Sequence, residues 1–426
     1  MRRIFRLNPL RSLAMIAVLC LTLLLLWCTI APAVKLKSQT AVFTEVWQTV
    51  NDNFYDPKFN GVEWQALRRK YELLAAKADS PAAVADVINA MLGELKTSHT
   101  RFYTQAEPAY YQLLGIFSGN TRLQQQAKAL LPKGSIKYPG IGVFTRELTG
   151  KTFISAILDG SPAAKAGLKV GDQVLSVEGS PYEPIASFAG KVGQPVNLIV
   201  QRTANRTETI AVTPQELDPN TLFLDAMRAS VDTLERQGKT LGYIHIWSYA
   251  GDRYQDQLVE ELTFNRLREV DGLILDLRDG WGGASPSYLN IFTGKVPSMT
   301  QVGRSGVPVR FDYQWQKPVV MLVNQGSRSG KEVIAYGFQQ YGLGKIVGTK
   351  TAGAVVGGRP FLMRDGSMLY LAVVDVFING KQRLEGVGVV PDVEVPFTLE
   401  YAQGADPQKD KAVDVLLQEL QVRIVD

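Results

Sequence analysis

Val319-Val320-Met321-Leu322-Val323-Asn324-Gln325-Gly326-Ser327-Arg328-Ser329-Gly330-Lys331-Glu332 passes from five consecutive apolar residues through a polar turn into a helical pattern. An unbroken apolar run of that length reads as a strand buried on both faces, the habit of a parallel sheet covered by helices. The flanking sequence alternates accordingly. Leu222–Arg236 reads as helical, Leu241–Trp247 as a strand, Gln255–Leu267 as helical and Leu273–Leu277 as a strand. After the opening stretch, Lys331–Tyr341 is helical and Lys345–Val347 a further strand. Met368–Ile378 and the turn Asn379-Gly380 read as a β-hairpin with a primed turn. Gln408–Val422 is an amphipathic helix. The expected fold class is α/β, an α+β core with a mixed sheet.

Upstream of the core, Thr40 to Lys96 is helical in pattern. Phe43, Val46, Trp47 and Val50 repeat at i, i+3, i+4, i+7. A further helix starts at Ser80-Pro81, a cap followed by proline at the first helical position, with Val84, Ile88, Met91 and Leu95 on one face. Phe102–Tyr138 reads as an irregular connection. From Pro139 to Pro214 the texture changes to short strands and turns, through Gly140-Ile141-Gly142-Val143, Ser161-Pro162-Ala163-Ala164-Lys165-Ala166-Gly167-Leu168 and Gly171-Asp172. This run resembles a PDZ domain of the bacterial protease type. The resemblance implies that Gly140, Ile141, Gly142 and Val143 form the loop whose N–H groups cap a peptide's terminal carboxylate, the peptide adding as a strand beside it. The plainer alternative is a β module that only spaces two domains. The expected division is 1–33 export signal, 34–104 N-terminal helical region, 105–138 connection, 139–214 PDZ domain inserted in the chain, 215–400 α/β core and 401–426 C-terminal helix.

The 46 Lys and Arg exceed the 41 Asp and Glu, giving +5, and a basic excess invites a nucleic-acid reading. Its location removes that reading. Arg2, Arg3, Arg6 and Arg11 lie in residues 1–33, which hold no acid; without them the balance is 42 to 41. The same stretch has the order of a secretion signal: a basic start, an apolar run from Leu13 to Ile30, then Ala31-Pro32-Ala33 as a cleavage site. Left uncleaved, residues 13–30 would associate with the membrane. Either way the body is expected outside the cytoplasm, in a periplasm or equivalent lumen. Cys20 and Cys28 are the only cysteines, so the body has no thiol chemistry.

Two histidines, His99 and His245, supply no metal-ligand cluster. No phosphate loop with a following Lys-Ser/Thr is present. No metal or cofactor is expected, and a hydroxyl nucleophile is what remains. Ser329 lies where the buried strand hands over to a helix, so unpaired N–H groups and the helix dipole would stabilise developing negative charge beside it. The N–H of Gly330 suits an oxyanion hole there. Ser329 as a plain helix cap is the competing reading.

Asp276-Leu277-Arg278-Asp279-Gly280-Trp281-Gly282-Gly283, followed by the Ser329 segment, resembles the C-terminal processing (tail-specific) serine peptidases and their tricorn-like relatives, over roughly Thr40 to Val395. The resemblance implies that Ser329 is the nucleophile and that Gly282 or Gly283 adds an N–H to the oxyanion hole. It also marks a departure. Tail-specific members carry a dyad lysine in a segment that here reads Gly348-Thr349-Lys350-Thr351-Ala352-Gly353-Ala354, with Ala354 in its place. The tricorn-like branch implies a different set: Ser98-His99 after the N-terminal helices, and Glu385 before Gly386-Val387-Gly388-Val389-Val390-Pro391-Asp392. His99 would then be general base and acid, with Ser98 and Glu385 polarising it. Lys331 and Lys350 are the rival bases.

The function expected is an exported serine endopeptidase acting on protein or peptide substrates with free C-termini, with no nucleic-acid partner. The alternatives are a non-proteolytic envelope protein on the same fold that binds peptides or lipophilic ligands, and a scaffold working through the PDZ domain alone.

Overall fold

The computed structural model describes residues 40–131 and 134–422. The expected export signal, with its cleavage site and both cysteines, lies outside the described residues. Val319–Val323 is a strand buried at every position. It belongs to a six-stranded sheet in the order Val393–Glu394, Lys345–Gly348, Val319–Val323, Gly272–Asp276, Lys239–His245, Asp232–Arg236. Neighbours run parallel except for the outermost strand, Asp232–Arg236. The side-chain period of two explains why the strand is apolar throughout. Val320 and Leu322 join Tyr243, Ile274 and Val347 in a cluster with Leu416 and Leu420 of the helix Pro407–Val422. Val319, Met321 and Val323 join the opposite core with Phe223, Leu258 and Ile334 of the helices Leu222–Ser230, Asp252–Thr263 and Gly330–Gln340.

A second layer joins the N-terminal helical region to residues 357–374. Arg101–Tyr103 pairs antiparallel with Met368–Val374, which pairs with Gly357–Leu362. The helices over 40–53, Trp64–Lys77 and Pro81–Gly93 share one core with this sheet, with Phe43, Trp47, Ile88 and Met91 beside Phe102, Leu369 and Leu371. Ser80 caps the last of these helices by accepting from the N–H of Ala83, as its sequence implies. The strand partner of Arg101–Tyr103 fixes the residues just before it, His99 among them.

The PDZ region is a five-stranded antiparallel sheet, Val143–Leu148 through Arg206–Val212, around Ile154, Phe188 and Leu198. Tyr138–Gly140 and Gln215–Leu217 pair with each other where the chain enters and leaves it, as an inserted module requires. It is tied to the core by Trp247 Nε1 donating to Asp159 at 2.9 Å and by Tyr401 N donating to the Gly171 carbonyl at 3.1 Å.

Three sequence expectations need correction. Phe102–Tyr138 is not irregular: it holds the helices Pro108–Ile116 and Thr121–Leu130. Leu222–Arg236 is helical only to Ser230; Asp232–Arg236 turns through Gln237 and Gly238, at φ 51° and 72°, to pair with Lys239–His245. Positive φ at both turn residues suits the twist of a tight hairpin, so the local turn outweighs the helical pattern. Around Asn379-Gly380 only one bridge forms, Ile378 with Gln382, while Met368–Val374 takes its partners from elsewhere in the chain.

Within the PDZ sheet, Asp172 is fully buried and receives Arg202 Nε at 2.9 Å and Nη2 at 2.8 Å. Removing the guanidinium with Arg202→Ala strands a buried carboxylate, and the expected loss is about 3–5 kcal/mol. Urea denaturation followed by hydrogen exchange of the PDZ region measures it.

Candidate active site

Ser329 sits at the junction between the strand Val319–Val323 and the helix Gly330–Gln340, half-buried, with φ 57° and ψ −129°. A non-glycine residue held there costs on the order of 1–3 kcal/mol and persists only where its surroundings over-determine it. Those surroundings are visible. Ser329 N donates to the Ala354 carbonyl at 2.8 Å and to Glu332 Oε1 at 3.2 Å. The Glu332 carboxylate, itself fully buried, also accepts from Thr351 Oγ1 at 2.6 Å and from the N–H groups of Gly353 and Ala354 at 2.7 Å each. Burial pushes the Glu332 carboxyl up, while these donors pull the other way. One carboxylate thus clamps the 351–354 segment against the turn at Ser329. Sequence reading missed Glu332, although Ser329-x-x-Glu332 is the spacing of a capping box.

The loop Asp279–Gly283 packs on the other side. A Cβ on Gly282 would lie 2.5 Å from Ser329 Cβ, and one on Gly330 would collide with Ala284 N, so only glycine permits this approach. Among the described residues, no group accepts from the N–H of Gly282, Gly283 or Gly330. Three backbone donors therefore remain free beside Ser329. Trp281 anchors the loop, its N–H on the Trp247 carbonyl at 2.8 Å and its Nε1 on Gln112 at 2.9 Å.

His99, Ser98 and Glu385 come together, Ser98 meeting Glu385 across a separation of 287 residues. Glu385 Oε1 accepts from Ser98 N at 2.7 Å, and Oε2 from Ser98 Oγ at 2.8 Å and Val355 N at 2.7 Å. Ser98 Oγ lies 2.9 Å from His99 Nδ1. A carboxylate can only accept, so the single hydroxyl hydrogen of Ser98 goes to Glu385 and the oxygen must accept from Nδ1–H. The Nε2 of His99 then carries the lone pair. Burial, with a contribution from the Arg328 charge, pulls His99 down to about 3, so the ring is neutral. Its ring centre is 5.4 Å from that of Tyr370. The helix before it ends at Gly93, which removes dipole compensation as its purpose. No hydrogen bond joins His99 to Ser329 among the described residues; their link runs through Glu385, Val355 and Ala354.

The rival bases lie elsewhere. Lys350 is exposed. Lys331 is fully buried and aims Nζ at the carbonyls of Asp279, 2.7 Å away, and Trp247, 3.4 Å away. His245 is absorbed into packing, stacked on Trp247 at 3.8 Å with Nε2 2.9 Å from the Arg278 carbonyl. In the PDZ region, Ile141 is buried and Val143 begins the edge strand. The space among Ile141, Gly142, Val143, Tyr182 and Phe188 is about 10 Å³, lined also by Pro108 and Gln112; it holds no more than about one water. A cavity of about 780 Å³ lies on the carboxyl edge of the six-stranded sheet, between PDZ region and core. Asp279, Asn324 and Gln325 line it from behind the two site loops, and Ser329 and His99 do not.

Comparison with known proteins bears on this arrangement. Residues 240–395 match the model of peptidase family S41, residues 37–93 the tricorn protease C1 domain and residues 153–202 a PDZ domain. The carboxyl-terminal-processing protease of Synechocystis sp. is 27% identical over 399 residues, covering 90% of this chain and 88% of that protein. Putative tricorn protease homolog 2 of Streptomyces coelicolor is 28% identical over 398 residues, 89% of this chain but 32% of the relative. In fold, the crystal structure of the tricorn protease superposes with a TM-score of 0.54 at 20% identity, over 91% of this chain and 37% of the other. Residues 240–395 are similar to peptidase family S41, and the chain is a serine-type peptidase that joins this core to a tricorn C1 segment and a PDZ domain.

Proposed function

We propose that the protein is an exported endopeptidase that holds a substrate's C-terminus in the PDZ domain and cleaves upstream through an acyl-enzyme on Ser329. The observation that carries this reading is the chain Glu385–Ser98–His99, which leaves a neutral imidazole with its Nε2 lone pair free. His99 Nε2 takes the proton as Ser329 Oγ attacks the scissile carbonyl. The N–H groups of Gly330 and of Gly282 or Gly283 receive the oxyanion. His99 then gives its proton to the leaving amine, and a water, activated by the same nitrogen, releases the acyl group. The bond from Ser329 to His99 closes when substrate enters, as catalytic hydrogen bonds commonly do. Ala354 in place of a dyad lysine is consistent with a histidine base.

Substrate capture is assigned to Gly140–Val143, with the peptide adding to the edge strand Val143–Leu148. At about 10 Å³ the space beside Gly140–Val143 must widen to accept a side chain. Residues 1–33 are assigned as the export signal, with membrane association through 13–30 if they are retained. The domain division 34–104, 105–138, 139–214, 215–400 and 401–426 belongs to the same reading. Among the described residues no group of His, Cys, Asp and Glu could hold a metal ion.

Cleavage of an unfolded protein tests the assignment. Ser329→Ala and His99→Ala are each expected to lower kcat by about 10⁴-fold or more, while Lys350→Ala stays within roughly twofold of wild type. Activity surviving in Ser329→Ala would overturn it, as would an active His99→Ala beside an inactive Lys350→Ala. The acid side of kcat/KM gives a second check. A base near 6.5 would lose activity through pH 6, whereas His99 at about 3 keeps it level down to roughly pH 5. The same depressed value makes stability depend on pH. Unfolded His99 binds a proton below about 6.5, which the folded state refuses, so stability falls as pH drops from 6.5 toward 3, by at most about 1.4 kcal/mol per pH unit from this group. Thermal melts between pH 7 and 5 of wild type and His99→Gln separate that contribution.

A further inference from the structure

Among the described residues Lys331 is the one lysine with no exposed surface, and the proposed chemistry does not use it. Among the described residues its Nζ meets only carbonyl oxygens, those of Asp279 at 2.7 Å and Trp247 at 3.4 Å. Both carbonyls sit where the Asp279–Gly283 loop is sewn to the segment after the strand Lys239–His245. The Trp247 carbonyl also accepts from Trp281 N at 2.8 Å, the Gly282 carbonyl accepts from Tyr249 N at 3.1 Å, and Ser248 bridges Trp281. Gly280 approaches the Trp247 carbonyl so closely that a Cβ would collide with it. Carbonyl dipoles crowded in this way repel unless a donor stands between them. A buried ammonium with three hydrogens supplies that donor, and desolvation brings Lys331 down to about 7, which is the cost of placing it there.

Lys331 is also two residues after Ser329, in the first turn of the helix that Ser329 begins. Its side chain therefore connects the nucleophile's helix to the loop bearing Gly282 and Gly283. We propose that Lys331 is a positioning residue that sets the separation between Ser329 and the loop donors of the oxyanion hole. It touches no reacting atom. This rests on the oxyanion assignment above, and the experiment keeps the two apart.

The full chain carrying Lys331→Met, of similar length and apolar, keeps the packing and removes the donor. Oxyanion donors are worth roughly 10²–10³ in kcat; displacing rather than deleting one is expected to lower kcat by about 10–100-fold, with KM within about twofold. Affinity for a peptide aldehyde, whose adduct with Ser329 places an oxyanion in the same hole, should weaken by the same factor as kcat/KM. A general loss of structure would instead shift the melting temperature and KM together. Hydrogen exchange supplies a readout independent of activity: amides 247–250 and 279–283 should exchange faster in the variant, with the 97–100 segment unchanged. Lys331→Gln, which retains a shorter neutral donor, is expected between wild type and Lys331→Met, and takes over the same measurements if the latter fails to fold. A folded variant with wild-type kcat, or with unchanged exchange at 279–283, would overturn the proposal. If the wild-type chain cleaves nothing offered to it, the peptidase reading fails, and the exchange comparison still decides the role of Lys331.

Discussion

The Glu385 carboxylate holds the arrangement together. It takes three hydrogen bonds, two from Ser98 and one from Val355, and so fastens the N-terminal helical region to the core at the point where the chemistry would occur. A carboxylate this buried is tolerated only with its lone pairs engaged. Each donor follows from a different part of the fold. Ser98 is held by the strand Arg101–Tyr103 on Met368–Val374, and Val355 by the segment that Glu332 clamps. Two buried carboxylates, one on each side of residues 351–355, therefore fix the histidine and the serine without either touching the other's partner.

The six-stranded sheet supplies the frame for this. Its five strands other than Asp232–Arg236 run parallel, so the loops at their carboxyl ends gather on one edge, the usual place for sites in such sheets. Asp279–Gly283 follows one of these strands and Asn324–Ser329 the next. Ordinary packing of a doubly covered sheet thereby brings free N–H groups to the serine. The strained backbone at Ser329 sits where the strand hands over to the helix it begins.

Legibility in the sequence divided along the same physical line. Val319–Val323 and Ser80-Pro81 were readable because burial on two faces and helix capping are local patterns. The helices of 108–130 were not, since Tyr110, Leu113, Leu114 and Leu123 gain their meaning from the core they share with the sheet. Asp232–Arg236 was misread because a two-residue turn at Gln237-Gly238 overrode the helical period. In the site, Ser329 stood out by its place between a buried strand and a helix, whereas Ser98, His99 and Glu385 were marked only through resemblance to a family; the sequence carries no sign that residues 98 and 385 meet. The direction of Lys331 was equally silent, because a lysine in a first helical turn is normally solvated.

The state of His99 carries the greatest weight, and a chain with two histidines permits it to be read directly. Nitrogen NMR of the imidazoles, correlated through the ring protons, distinguishes Nδ1–H from Nε2–H and either from the cation. His245 should carry its proton on Nε2, facing the Arg278 carbonyl, and serves as the internal reference. His99 should be the opposite tautomer, with Nδ1 protonated, Nε2 bare and no charging between pH 8 and 5. A His99 protonated on Nε2, or titrating near 6.5, would contradict the account.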